Sequence, residues 1–281
     1  MHVYSDVMSQ TLIALPIAHP TVGVLGGMGA LATVDFLHKL VLATPANCDQ
    51  DHISLLVRFC PEVPDRVDAL LGRGPSPEPA LVAAALGLER GGAQCLAMPC
   101  NTAHAWHDAI AHALSIPILH IADASLKAVC LLGAPDAVGL LATTGTLRSG
   151  IYQSRGGNDV GWITSNDDEQ DQWVMPGIRA VKANRLDDGA RLLQLAAEAL
   201  IRRGAQSIIM GCTEIPIALA HQTIGVPLVD STLALARACV AWAGAATSIA
   251  VPAGGPLRGT SACTPCTKDK TVSPTRKGCM T

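Results

Sequence analysis

This chain repeats itself, and that constrains its fold more than any other feature. GAQCLAMPCNT (Gly92–Thr102) returns downstream as GAQSIIMGCT (Gly204–Thr213). The glycine, alanine, glutamine, methionine and cysteine of the two segments keep one offset of 112 residues. TVGVLGGMGAL (Thr21–Leu31) is matched by AVGLLATTGTL (Ala137–Leu147) at an offset of 116, and Pro117 of SIPILHIADASLKAV by Pro227 of GVPLVDSTLALARAC at 110. Three matches in the same order at nearly constant separation mean duplicated halves.

Each repeated unit is a short apolar run that ends in a loop and is followed by helical periodicity. Strands are expected at Thr21–Gly27, Ile53–Phe59, Cys95–Met98, Pro117–Ile121, Ala137–Ala142, Val160–Ile163, Gln206–Met210 and Pro227–Val229. Helices are expected at Ala30–Thr44, Glu78–Arg90, Thr102–Leu114, from Thr146 onward, and at Asp187–Arg203, Pro216–Thr223 and Thr232–Trp242. This alternation predicts an α/β protein with mainly parallel sheets. With 49% hydrophobic residues and only 3% aromatic, the 281-residue chain suits tight helix-on-sheet layers. The expected architecture is two similar, pseudo-dyad-related α/β domains with a cleft between them. Ligand sites in open parallel sheets lie beyond the carboxyl ends of the strands. That gathers Gly27–Ala30, Cys100–Thr102, Thr143–Thr146 and Cys212–Glu214 around one cleft.

Composition narrows the partners. A net charge of −3 gives no basic surface, so neither nucleic acid nor an anionic membrane is expected. No run is apolar enough over the length a bilayer requires. Ten cysteines in a chain this rich in core read as free thiols of a reducing, cytoplasmic compartment, with Cys95, Cys130 and Cys239 as small buried side chains. Residues 1–20 read as a disordered leader. The Pro-, Gly- and Thr-rich stretch 246–281 reads as a disordered tail whose Cys263 and Cys266 have no metal or redox partners. No histidine stands at a zinc spacing to the paired cysteines, so no metal is expected.

The two matched cysteines, Cys100 and Cys212, each follow a strand and precede a helix. Backbone N–H groups and the helix dipole there are expected to lower a thiol pKa. Asn101, Thr102 and Thr213 add amide and hydroxyl groups for a small carboxylate. A duplicated thiol suits a reaction that treats two mirror-image faces alike. In racemisation at a carbon α to a carboxylate, one thiolate takes the Cα proton and the opposite thiol returns one. No full phosphate loop is present and no lysine sits in the paired motifs, so pyridoxal phosphate is not indicated.

PCNTAH (Pro99–His104) and GCTEI (Gly211–Ile215), with LGGMG at 25–29, VPDR at 63–66 and LATTGT at 141–146, resemble the cofactor-independent aspartate/glutamate racemase family, aspartate racemase branch, over about Thr21–Ala245. The resemblance implies two α/β domains, homodimers, a small amino-acid substrate and Cys100 with Cys212 as the acid/base pair. It also implies that the C-terminal strand and helix return to the first domain, which makes that domain 21–115 plus 227–245 and the second 116–226. Carried over by position, Asn101, Thr102, Thr143, Thr146 and Thr213 would hold the α-carboxylate and amino group, and Arg66 and Lys182 would face a side-chain carboxylate. Met28, Gly29, Thr144 and Glu214 stand in the same loops, and Glu214 either compensates a helix N-terminus or binds the substrate ammonium. Arg66 could instead pair with Asp65 or Glu62. His104 reads as a hydrogen-bonding residue, His107 and His112 as helix-surface residues.

Three positions depart from the family pattern. Ala30 replaces a proline, Cys60 an asparagine and Glu62 a glutamine. Glu62, if it pointed into the cleft, would oppose a second carboxylate. The alternatives to aspartate are glutamate, a broad range of amino acids, a hydantoin or maleate-isomerase-like chemistry; an amino-acid sensor and a dithiol redox protein are further classes.

Overall fold

The computed structural model describes residues 20–157 and 160–249. The expected leader up to residue 19, and the tail from 250 with Cys263 and Cys266, lie outside the described residues.

The strands are β1 (Val22–Gly26), β2 (Leu55–Phe59), β3 (Cys95–Ala97), β4 (Ile118–Leu119), β5 (Ala137–Ala142), β6 (Gly161–Thr164), β7 (Ser207–Gly211) and β8 (Leu228–Asp230). They form two four-stranded sheets, ordered β2-β1-β3-β4 and β6-β5-β7-β8, and every pairing is parallel. The two orders are the same pattern. The sequence repeat is thus a repeat of sheet topology, and α/β with two parallel sheets is what the structure holds.

In chain order the helices are α1 (Ala30–Ala43), α2 (Arg66–Leu70), α3 (Glu78–Arg90), α4 (His107–Ala113), α5 (Ile121–Leu131), α6 (Thr144–Ser149), the single turns α7 (Gln153–Gly156) and α8 (Asp167–Glu169), α9 (Met175–Lys182), α10 (Leu186–Arg202), α11 (Ile215–Leu219) and α12 (Ser231–Ile249). One face of the first sheet packs α3 and α4 through Leu81, Leu88, Leu96, Met98 and Ile110. One face of the second packs α9, α10 and α11 through Ile178, Val181, Leu193, Leu200 and Ile208.

The other two faces are covered in part by exchange. α5, which follows the last strand of the first sheet, sends Ala122 and Val129 against Val138 and Leu140 of the second. α12, which follows the last strand of the second sheet, sends Leu235, Ala236 and Cys239 against Val22 and Val24 of the first and against Phe36 of α1. Strand membership therefore differs from the expected 116 and 227 boundaries. β4 is bonded to β3 in the first sheet and β8 to β7 in the second, so only the helices cross. A strand must stay where its ladder is, whereas an apolar helix face can cross to a neighbouring sheet. Lys39 of α1 and Asp230 of β8 add an ion pair across the halves at 2.7 Å.

Other expectations shift in detail. The predicted helix Thr102–Leu114 is a 3₁₀ turn over Thr102–Trp106 followed by α4, with the break at Trp106. α12 continues past the expected helix end at Trp242, and past the expected start of the tail at 246, to Ile249. Cys95 and Cys239 are buried as expected, but Cys130 is exposed. Among the described residues no helix is long and apolar enough to cross a membrane.

Candidate active site

Four loops at carboxyl ends of central strands bring the predicted residues together. β1 leads into Gly27-Met28-Gly29. Gly27 has φ +92°, and an added Cβ would lie 2.4 Å from the Cys60 backbone nitrogen, so only glycine fits this turn. β3 leads into Cys100-Asn101-Thr102, β5 into Thr143, and β7 into Cys212-Thr213-Glu214. A narrow pocket is lined by Met28, Asp65, Arg66, Val67, Cys100, Asn101, Thr102, Thr143, Lys182, Cys212 and Thr213. Both thiols are free and face this one pocket.

Arg66 opens α2 and is buried. It pairs with neither acid considered above. Asp65 caps α2 instead, accepting from the N–H groups of Val67 (2.8 Å) and Asp68 (2.9 Å). Glu62 is exposed and outside the pocket, so it does not oppose a second carboxylate. The Arg66 guanidinium donates to the carbonyls of Val63 and Pro64, both at 3.1 Å, and of Met28 at 3.4 Å. Its buried Nε has no partner. A buried, partly unsatisfied guanidinium is a good carboxylate donor.

The hydroxyls are shared. Thr102 Oγ1 lies 2.9 Å from both Thr143 Oγ1 and Thr146 Oγ1, and Thr143 caps α6 by accepting from the Thr146 N–H at 3.0 Å. Thr146 is buried behind the pocket wall and supports the other two. Thr144 is not brought into the pocket. Its hydroxyl donates to Gln170 Oε1, and Gln170 is anchored on the Ala142 carbonyl. The extended Thr143 backbone before α6 sends the next side chain the other way.

Both polar atoms of the Asn101 side chain are engaged. The Tyr152 hydroxyl donates to its Oδ1 at 2.6 Å, and its Nδ2 donates to Ser231 Oγ at 3.1 Å, which donates on to the Met210 carbonyl at 2.7 Å. This buried chain ties the Cys100 loop to the second sheet and to α12. Tyr152 and Ser231 carry no local motif and were not expected from the sequence.

His104 tethers the same loop. Its Nε2 accepts from the Ile121 N–H at 3.2 Å, so the proton sits on Nδ1, which donates to the Cys100 carbonyl at 2.9 Å. Burial pushes its pKa down to about 4, and the ring is neutral near neutral pH. His107 is no surface residue as expected. Its side chain is 14% exposed, and its ring lies 4.6 Å from that of His120.

The cysteines differ. Only the five-residue α11 follows Cys212, so little helix dipole is available to lower its thiol pKa. Cys212 is pushed well above the ordinary thiol value, by burial first and by the Glu214 carboxylate second, with Lys182 opposing. Its Sγ donates to Glu214 Oε2 at 3.0 Å. Glu214 is 3% exposed, and its Oε1 lies 3.9 Å from Lys182 Nζ with no hydrogen-bond partner. Burial disfavours the Lys182 ammonium, but Glu214 and the two cysteines outweigh it and raise its pKa. Gly29 makes room: a Cβ there would meet Glu214 Oε1 at 2.6 Å.

Two matching parallel sheets whose loops present a pair of thiols, a buried guanidinium and a hydroxyl cluster to one pocket define a class of α/β proteins with a duplicated scaffold and a thiol-lined site. The chain belongs to the Asp/Glu/hydantoin racemase family, whose model matches residues 25–239. It is 32% identical over 225 residues to the broad specificity amino-acid racemase RacX of Bacillus subtilis (strain 168), covering 78% of this chain and 96% of that protein. The structure matches Picrophilus torridus aspartate racemase with a TM-score of 0.69 and 33% identity, over 80% of this chain and 94% of the other. Glutamate racemase RacE1 from Bacillus anthracis shares the fold, with a TM-score of 0.63 at 19% identity over 82% and 83% of the two chains.

Proposed function

We propose that this racemase interconverts the enantiomers of an acidic amino acid, aspartate first, with Cys100 and Cys212 as the two acid/base groups. The observation that carries the reading is one pocket lined by both thiols and by Arg66, whose buried Nε lacks a partner. In the proposed step one thiolate removes the Cα proton and the electron pair moves into the α-carboxylate. The opposing thiol then protonates the other face. The hydroxyls of Thr102, Thr143 and Thr213 and the local N–H groups offset the charge gained by the carboxylate. Arg66 receives the side-chain carboxylate.

A second reading is favoured by the Lys182–Glu214 contact. Glu214 offsets the Lys182 charge, which leaves Arg66 as the one uncompensated cation of the pocket lining and admits neutral side chains. RacX being a broad specificity relative fits that reading. Both are tested by following loss of the Cα–H NMR signal in D2O with L-aspartate and then a panel of amino acids. Exchange with aspartate that falls about 10²- to 10⁴-fold in Cys100→Ser and Cys212→Ser is expected. Exchange only with neutral amino acids would move the substrate; exchange unaffected by either substitution would remove the two-thiol mechanism.

We further propose that the active form is a homodimer. β2 ends its sheet and exposes Val57 (40%) and Phe59 (46%) on the face that carries α1, whose Leu31 (39%) and Val34 (57%) are exposed as well. An apolar patch on an unpaired edge favours a second copy. Phe59→Glu is expected to give a monomer in light scattering where the parent chain gives a dimer.

A further inference from the structure

The duplicated halves differ at one position that matters to proton transfer. At the offset of 112 residues that pairs Cys100 with Cys212, Asn101 corresponds to Thr213 and Thr102 to Glu214, so a hydroxyl stands in one half where the other has a carboxylate. The scaffold has placed a buried carboxylate beside one thiol only. Glu214 Oε2 accepts from Cys212 Sγ at 3.0 Å, and Glu214 Oε1 is buried without a hydrogen-bond partner. Among the described residues Cys100 has no such carboxylate.

We infer that Glu214 is a positioning residue that holds Cys212 in its thiol form between turnovers, so that the resting enzyme keeps Cys212 as the acid and leaves Cys100 as the base. The inference rests on the racemase reading above. A Cys212 thiolate would put a second negative charge against Glu214 in a buried site, which is unfavourable. The groups that face Cys212 are Glu214 in its own loop, Lys182 from α9, Tyr152 from the segment after α6, and, across the pocket, Cys100 and Arg66. Of these, Lys182 favours the thiolate and Glu214 the thiol.

The proton balance follows. When an enantiomer binds with its Cα–H toward Cys100, the C–H bond breaks, an S–H bond forms on Cys100, and the electron pair enters the carboxylate. The S–H bond of Cys212 then breaks and its proton forms the new C–H bond on the opposite face. Turnover ends with Cys100 as thiol and Cys212 as thiolate. The Glu214 contact favours return to the resting form, in which Cys212 takes a proton from water and Cys100 releases one. The opposite enantiomer meets the reversed, disfavoured form.

The test needs no substrate. Alkylation of each cysteine by iodoacetamide is followed by mass spectrometry of the Cys100 and Cys212 peptides across pH, with the intact chain and with Glu214→Gln. The amide keeps the size and removes the negative charge. At a given pH below the midpoint, Cys212 alkylation is expected to rise about tenfold or more, which corresponds to one pKa unit or more, with Cys100 little changed. Lys182→Met is expected to move the Cys212 profile to higher pH, the opposite direction, which loss of folding would not produce. An unchanged Cys212 profile in Glu214→Gln, or an equal shift of both cysteines, would overturn the inference. The D2O exchange experiment judges the racemase reading separately, because alkylation reads the thiols whether or not any amino acid turns over.

Discussion

Gly29 shows how much of this site depends on what a residue leaves out. With an added Cβ 2.6 Å from Glu214 Oε1, Gly29→Ala forces that carboxylate away from Cys212 and Lys182. Backbone strain does not enter, because Gly29 is extended at φ −102°. The expected result is a nearly unchanged unfolding midpoint with kcat/KM lower by about 10- to 100-fold, measured by racemisation assay beside thermal denaturation. Tyr152→Phe tests the opposite case, a hydroxyl that supports from behind. Its removal leaves the buried Asn101 Oδ1 without its 2.6 Å donor, and a loss of about 1–3 kcal/mol in urea unfolding is expected. Arg66, the paired cysteines and the threonines were legible because they stand in repeated or family-like motifs. Tyr152 and Ser231 were not, since their bonds to Asn101 join residues 51 and 130 apart with no pattern between them. Glu62 misled because sequence position says nothing about which way a turn residue points. Glu214, and not Glu62, is the buried acid in contact with a pocket thiol.

Among the elements, α2 is a five-residue helix that exists mainly to deliver Arg66. A helix so short depends on its cap, and Asp65 supplies two of the contacts it needs. Asp65→Ala should cost about 1 kcal/mol of stability and raise KM for a dicarboxylic substrate more than it lowers kcat, a split that steady-state kinetics resolves. The strands were readable to within about a residue or two because they are buried apolar runs between glycine turns. α5 and α9 escaped notice. α5 follows directly on the two-residue β4, so one apolar stretch, IPILHIADASL, serves as strand and helix in succession. Periodicity alone does not divide such a run.

For the molecule as a whole, acid is the expected weakness. His104 is held neutral inside the fold with a pKa lowered to about 4, and burial pushes His120 down as well. In the unfolded chain both would take up a proton near pH 6.5. Between these values the unfolded state binds more protons, so stability is full above about pH 6.5 and falls as pH drops toward 4. His104 alone accounts for about 3 kcal/mol over that window. Urea unfolding at pH 7.5 and pH 5 should show the fall, and His104→Gln should flatten it.

The crossing of α5 and α12 has a consequence for how such a chain could arise. A polypeptide ending at Leu131 would own one complete sheet and one helix with no sheet of its own to cover. Two such polypeptides could satisfy each other by trading that helix, and the seam between them would hold one Cys100 from each. This chain has that arrangement with the two partners fused end to end. Fusion frees each copy to diverge, and at the repeat offset one half has the Glu214 carboxylate where the other has the Thr102 hydroxyl. A symmetric ancestor of that kind would have had two identical halves of its site; the covalent link is what allows the two halves in this protein to differ.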